Sequence, residues 1–191
     1  MKVALKNIAT IQAGYSFRSR LETLDTGAIA VIQMKDLTGA NRVNCDDLAR
    51  VDMELPKEHH LVLPGDLIFR SRGLTSNSAL LEDDPGGAVL AAPLLRIRVK
   101  GGAVLPEYLN WYISQQPAQI YFASCSAGTS LKMISKQSLE ELEVMMPPLS
   151  KQRMIVEIAL LAEEEKRIMT KLAEKRTQYI SKTLLQLTQG E

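Results

Sequence analysis

A chain of 191 residues, 46% hydrophobic and 24% charged, has the length and composition of one ordinary folded domain with some chain left over. Its net charge of +1 excludes a broad basic face of the usual nucleic-acid-binding kind, so any DNA binding must rest on local cationic clusters. No segment approaches the run of about 18 apolar residues that spans a bilayer.

From the N-terminus, "MKVALKNIATIQAG" alternates, lacks the continuous apolar core of a signal peptide, and breaks at Gly14. The run Ile29 to Ile32 reads as a buried strand. In "HHLVLPGDLIFRSRG" two apolar runs are joined by Pro64-Gly65-Asp66, a turn signal. "DDPGGAVLA" is a turn and then a strand. "PLLRIRVKGG" alternates, with Leu95, Ile97 and Val99 on one face and Arg96, Arg98 and Lys100 on the other.

The period then changes. Pro106 stands where a first helical position belongs, and apolar residues follow at helical spacing until Pro117 ends or restarts the helix. "SAGTSLKMIS" is a loop, after which Ser138 with Glu141, or Ser135 instead, caps a short helix. "LEVMMP" returns to a strand. From Ser150, a fitting N-cap with Leu149 and Met154 as a hydrophobic staple, nothing breaks a helix before Gly190. The pattern predicts an α+β protein: a mixed domain of short strands and few helices over residues 1–148, then one long helix over 149–191.

A helix of roughly 38 residues is about 57 Å long at about 1.5 Å per residue, longer than such a domain is wide. Its apolar stripe includes Ile155, Ile158, Ala162, Met169, Leu172, Tyr179 and Leu184, with Glu165 and Arg176 interrupting the seam. A lone helix with this stripe exposes too much apolar surface. Two arrangements cover it: folding back over its own domain, or a coiled coil with another molecule, as the absence of a second long helix in the sequence favours.

Cys45 and Cys125 lie far apart without companions at metal-ligand spacing, and the expectation is two reduced, partly buried thiols in a cytoplasmic protein. His59-His60 has no third ligand at a useful spacing. Asp66 with Glu82 to Asp84 lacks the lysine of a nuclease cluster. Pro147-Pro148 lacks the flanking residues of an amino-methyltransferase motif, and no glycine-rich loop follows a first strand. No catalytic residue, metal or cofactor is expected.

Cations spaced for recognition remain. Arg18 and Arg20 follow "YSF", and Arg70 and Arg72 flank Ser71 at a strand end before Gly73. Residues two apart on a strand share a face, so each pair offers two guanidinium forks that match guanine or phosphate. The competing reading makes them solvated edge residues or partners for the acids at 46 to 58 and 82 to 84. Arg96, Arg98 and Lys100 form a basic face that fits a solvated sheet surface somewhat better than a DNA contact.

The order of three segments is more specific than any one of them: "IATIQAGYSFRSR", "LVLPGDLIFRSRG", and "SAGTSLKMISKQSLEELEVMMPPLSKQRMIVEI" leading into a long helix. It resembles the specificity subunits of type I restriction-modification enzymes. The resemblance implies a non-catalytic DNA-recognition domain followed by a spacer helix. It also implies docking to methyltransferase subunits, which would hold S-adenosylmethionine. Full-length subunits carry two such units in tandem with their helices antiparallel, whereas this chain has one of each. A homodimer, or pairing with another half, would restore the tandem form. The residues so implicated in double-stranded DNA contact are Ser16, Phe17, Arg18, Arg20, Lys35, Arg70, Ser71, Arg72, Thr129, Ser130 and Lys132. Arg70→Ala is then expected to weaken specific binding by about 1–3 kcal/mol. Where the family often has an acidic residue before the glutamine of the helix start, Lys151 precedes Gln152.

Overall fold

The computed structural model describes residues 1–17, 27–39, 41–54, 56–73, 75–125 and 133–189. The chain opens with β1 (Lys2–Ala4), a single helical turn α1 (Leu5–Ile8) and β2 (Ala9–Ala13). Leu5 and Ile8 are both buried, so helical spacing wins over the alternation read there. Gly14 follows at a close crossing: a Cβ on it would lie 2.9 Å from the Leu90 carbonyl oxygen, closer than any side-chain carbon is tolerated.

Then come β3 (Ile29–Ile32), β4 (Ala49–Val51), β5 (Leu61–Val62), β6 (Leu67–Arg70), β7 (Ser78–Leu80), β8 (Ala88–Leu90) and β9 (Leu94–Val99). They form two four-stranded sheets, ordered β2-β9-β6-β7 and β4-β3-β8-β5. The first is antiparallel throughout; the second holds one parallel pair, β3 with β8. Ala30, Ile32, Ala88 and Leu90 of the second sheet share a core with Ile68, Ala79 and Leu94 of the first. Ile29, Val31, Val51 and Val89 face the other way and pack with Phe17, Met53 and Leu61. Both faces of β3 are covered, which is why its four residues are continuously apolar.

Helix α2 (Pro106–Ile113) has Pro106 in its first turn, and α3 (Gln116–Cys125) restarts with Pro117 at its second position. Phe122 of α3 stacks at 5.2 Å from Phe69 of β6. Ser135, not Ser138, caps α4 (Lys136–Glu140), accepting the Ser138 N–H at 3.0 Å. Strand β10 (Glu143–Met145) pairs with β1, joining the two ends of this unit. Tyr108 and Tyr112 of α2 donate their hydroxyls to the carbonyls of Met145 and Glu143.

Helix α5 (Leu149–Gln189) has 41 residues, about 60 Å at about 1.5 Å per residue. Its start at Leu149 matches the expected boundary, but the expected cap does not. The Lys151 and Gln152 N–H groups donate to the Pro148 carbonyl, so Ser150 is inside the helix and is not its N-cap. The staple is absent too, since Met154 is 58% exposed. Gln152 is fully buried. Its Oε1 accepts the Leu105 N–H, and its Nε2 donates to the carbonyls of Ala103 and Pro147, each at 2.9 Å.

The chain divides into two compact units, Met1–Gln152 and Arg153–Glu191. Along the second, Ile158, Met169, Leu172, Tyr179 and Leu184 are all more than half exposed, Ala162 is exposed and Ile155 half-buried. This is the expected α+β architecture: a mixed domain of short strands and a long terminal helix. No helix among the described residues is long and apolar enough to cross a membrane. Cys45 is half-buried and Cys125 exposed, both free; the expected burial of Cys125 does not hold, because it ends α3 on the outer side.

Candidate nucleic-acid interface

Two of the three cations read on the basic face of β9, Arg96 and Arg98, are spent on partners within the protein. Asp66, 1% exposed, turns the chain into β6 and accepts the Leu63 N–H at 2.8 Å. Arg98 meets it with both arms, Nε and Nη2 each 2.7 Å from a carboxylate oxygen. That bond holds the Arg98 guanidinium above its usual pKa. Arg96 is 6% exposed and donates to the Leu61 carbonyl at 2.6 Å; burial, then the charge of Arg98, lowers its pKa. Lys100 donates to the Lys6 carbonyl. Arg96 and Arg98 thus lock β9 to Leu61 and the β5–β6 turn, while Lys100 stays exposed beside α1.

The other cations gather elsewhere. β3 and β8 are parallel with Ile32 opposite Leu90, so their C-terminal ends share one edge. Tyr15 bridges to Ala91 at that edge. Arg70, last residue of β6, is opposite Leu94, and the buried Ser71 donates its hydroxyl to the Pro93 carbonyl. Arg70 Nη2 donates to the Met34 carbonyl at 3.1 Å, drawing in the 3-10 turn Met34–Asp36 that carries Lys35. Arg72 bridges to Met133, and the Ile134 N–H donates to the Ser71 carbonyl. One end of the two sheets therefore collects Tyr15 to Phe17, Lys35, Arg70, Arg72 and Met133.

Roles within this end differ. Arg70 and Arg72 do not present the two equal forks expected of them. Arg70 is half-buried and holds the 34–36 turn, whereas Arg72 and Lys35 are exposed. Ser71 is an anchor, because its hydroxyl is already donated. The Lys35 ammonium lies 4.0 Å from Asp36. Burial raises the Asp36 pKa, opposed by the Gln33 N–H that it accepts. Ser16 is exposed and Phe17 packs on the outer face of the second sheet. Arg18, Arg20, Thr129, Ser130 and Lys132 lie outside the described residues.

Sequence reading missed two parts of this end. Tyr15 stacks edge-on against His60 at 5.0 Å and lies 5.7 Å from Phe17, and His59 adjoins His60 at 4.3 Å. This aromatic ledge starts from the Tyr15–Ala91 bridge. Burial lowers the His60 pKa, as do the charges of His59, Arg96 and Lys57. Only the pairing of β5 with β8 brings the histidines here, and no local motif encodes that pairing. The second part is an amide network that fixes the 75–78 segment. Asn110 joins Ser78 to the Asn41 carbonyl, Asn77 reaches Asn41, and Gln119 donates to the Ser76 carbonyl. Among the described residues no group of three or more His, Cys, Asp or Glu could hold a metal ion.

Cations, hydrogen-bonding groups and paired rings thus lie at one end of a two-sheet unit, and the chain continues from that unit into a long helix. The sequence pattern of the type I restriction modification DNA specificity domain matches residues 1–173, and the chain belongs to that family. The solved structures similar to it include the following three. The HsdS subunit from Thermoanaerobacter tengcongensis superimposes with a TM-score of 0.62 at 18% identity, covering 89% of this chain and 38% of that one. A structure concerned with complex assembly and conformational transition of the type I R-M system gives 0.63 at 17% identity, over 89% and 39%. The type-I restriction-modification system S subunit from M. genitalium gives 0.58 at 10% identity, over 86% and 39%. At these identities the likeness is one of fold, and this chain spans under two-fifths of the length of each. No curated protein sequence matches significantly.

Proposed function

We propose that the chain is a non-catalytic DNA sequence-recognition subunit of a type I restriction-modification system. The observation that carries this is the convergence of Lys35, Arg70 and Arg72 with Tyr15, Phe17 and His60 at one end of the two sheets. Cations position phosphates and read base edges, and rings stack on splayed or edge-on groups. Two copies pair antiparallel through α5, which supplies the second recognition unit that a tandem subunit carries within one chain. A two-fold pair reads a bipartite target whose halves are inverted repeats around an unread spacer. The subunit works in the cytoplasm and docks methyltransferase subunits, which hold S-adenosylmethionine and supply the chemistry. One observation favours a second reading, an interaction protein that binds restriction-modification subunits without reading DNA: the net charge is only +1.

Arg72 gives a cleaner test than Arg70, whose removal also frees the Met34 carbonyl. Arg72→Ala should weaken binding to the cognate duplex by about 1–3 kcal/mol, roughly 5- to 150-fold, if the guanidinium reads a base. Its effect on a scrambled duplex should be smaller. Equal affinity of variant and parent for the cognate site would contradict the assignment.

A further inference from the structure

Glu165 and Arg176 interrupt the apolar seam of α5. They are eleven residues apart in the sequence, which places them on one face, about 16 Å from each other along the axis. Neither can find an opposite charge within its own helix. Side chains meet at three and four residues' spacing, and the neighbours of Glu165 there are Leu161, Ala162, Ile168 and Met169. Those of Arg176 are Leu172, Ala173, Tyr179 and Ile180. Nearby charges do pair, as Glu164 with Arg167 at 2.6 Å. Both seam charges are exposed.

We infer that two copies of α5 lie antiparallel in the register that sets Glu165 of one against Arg176 of the other, twice by symmetry. This rests on the pairing of two copies proposed above. In a heptad frame with Ile155, Ala162, Met169 and Arg176 at a, and Ile158, Glu165, Leu172 and Tyr179 at d, antiparallel packing opposes a with d. The register that joins Glu165 to Arg176 also opposes Met169 to Leu172 and the small Ala162 to the large Tyr179. Towards the ends it opposes Ile158 to Thr183 and Ile155 to Gln186, so the apolar contact is concentrated between the two charge layers. Beside the seam, Leu161 meets the stem of Lys182 and Ile168 that of Lys175, so lysine chains cover apolar side chains and no like charges flank the seam. A slip of one heptad sets Glu165 against Thr183 or Met169 and Arg176 against Leu172 or Ile158, so neither seam charge meets an opposite one. Parallel pairing in register sets Glu165 against Glu165 and Arg176 against Arg176, two like-charge layers that disfavour it.

Sedimentation of the full chain tests this. Glu165→Arg and Arg176→Glu should each raise the dissociation constant of the dimer by about tenfold or more, by opposing like charges. The double variant should return to within a few-fold of the parent, and an equimolar mixture of the two single variants should pair more tightly than either alone. All these positions are exposed, and circular dichroism on each variant checks that the helix is retained. A dimer whose affinity ignores the single changes, or a double variant no tighter than the singles, overturns the register while leaving the pairing intact. A parent chain that stays monomeric overturns the pairing itself, and the register with it.

Discussion

Replacing Arg98 by leucine should destabilise the globular unit by about 3–5 kcal/mol, the loss that follows when one member of a buried ion pair is removed. Asp66 is the reason. It is 1% exposed, and Arg98 bonds both of its carboxylate oxygens. Without the guanidinium, a buried charge keeps only the Leu63 N–H, and the Leu61 carbonyl loses one of its two arginine donors. Adding Asp66→Asn to Arg98→Leu should recover part of the loss, because the stranded charge is gone. Trp111, the chain's single tryptophan, lies in α2, so its fluorescence in a guanidinium titration follows this unit and not the long helix. A loss below about 1 kcal/mol, the range of an exposed pair, would contradict this structural role.

Gln152→Leu is the second large effect. Its buried amide satisfies one backbone N–H and two carbonyls, all at 2.9 Å. Leucine fills the space and leaves those groups unpaired, at about 1–3 kcal/mol for each buried group left without a partner. Partial access to water on the Ala103 side lowers the sum, to a total of about 2–4 kcal/mol. Gln152→Glu keeps the acceptor for Leu105 but loses both donated bonds and buries a charge, and should be no milder. The same fluorescence titration measures both variants. A Gln152→Leu protein as stable as the parent would mean that these bonds contribute nothing net.

Glutamine at this position was legible in the sequence as part of a pattern, but its chemistry was not. Its three partners come from residues 103, 105 and 147, and only the folded unit brings the first two within reach. The same divide runs through the rest of the molecule. Ile29–Ile32 announced a strand because both its faces are buried, and Pro106 announced a helix start. By contrast β4 and β7 are three residues each, too short for any period to show, and their sheet partners define them. The alternation of β9 correctly placed three basic residues on one face. It held no information that a buried aspartate from a distant turn would occupy that face. Arg70 and Arg72 were legible as candidates, yet their division into a half-buried strut and an exposed fork depends on Met34, 36 residues earlier in the sequence. The length of α5 was readable to within a residue at its start, because nothing in the sequence interrupts it.

The central claim is sequence-selective DNA recognition by two copies of this chain. Selection from a library of randomised duplexes, using the full chain with and without methyltransferase subunits of the same system, tests it most directly. The account predicts enrichment of two short motifs in inverted orientation, separated by a spacer of fixed length and unselected sequence. Recovery of methyltransferase complexes with no sequence enriched in either arm would contradict it.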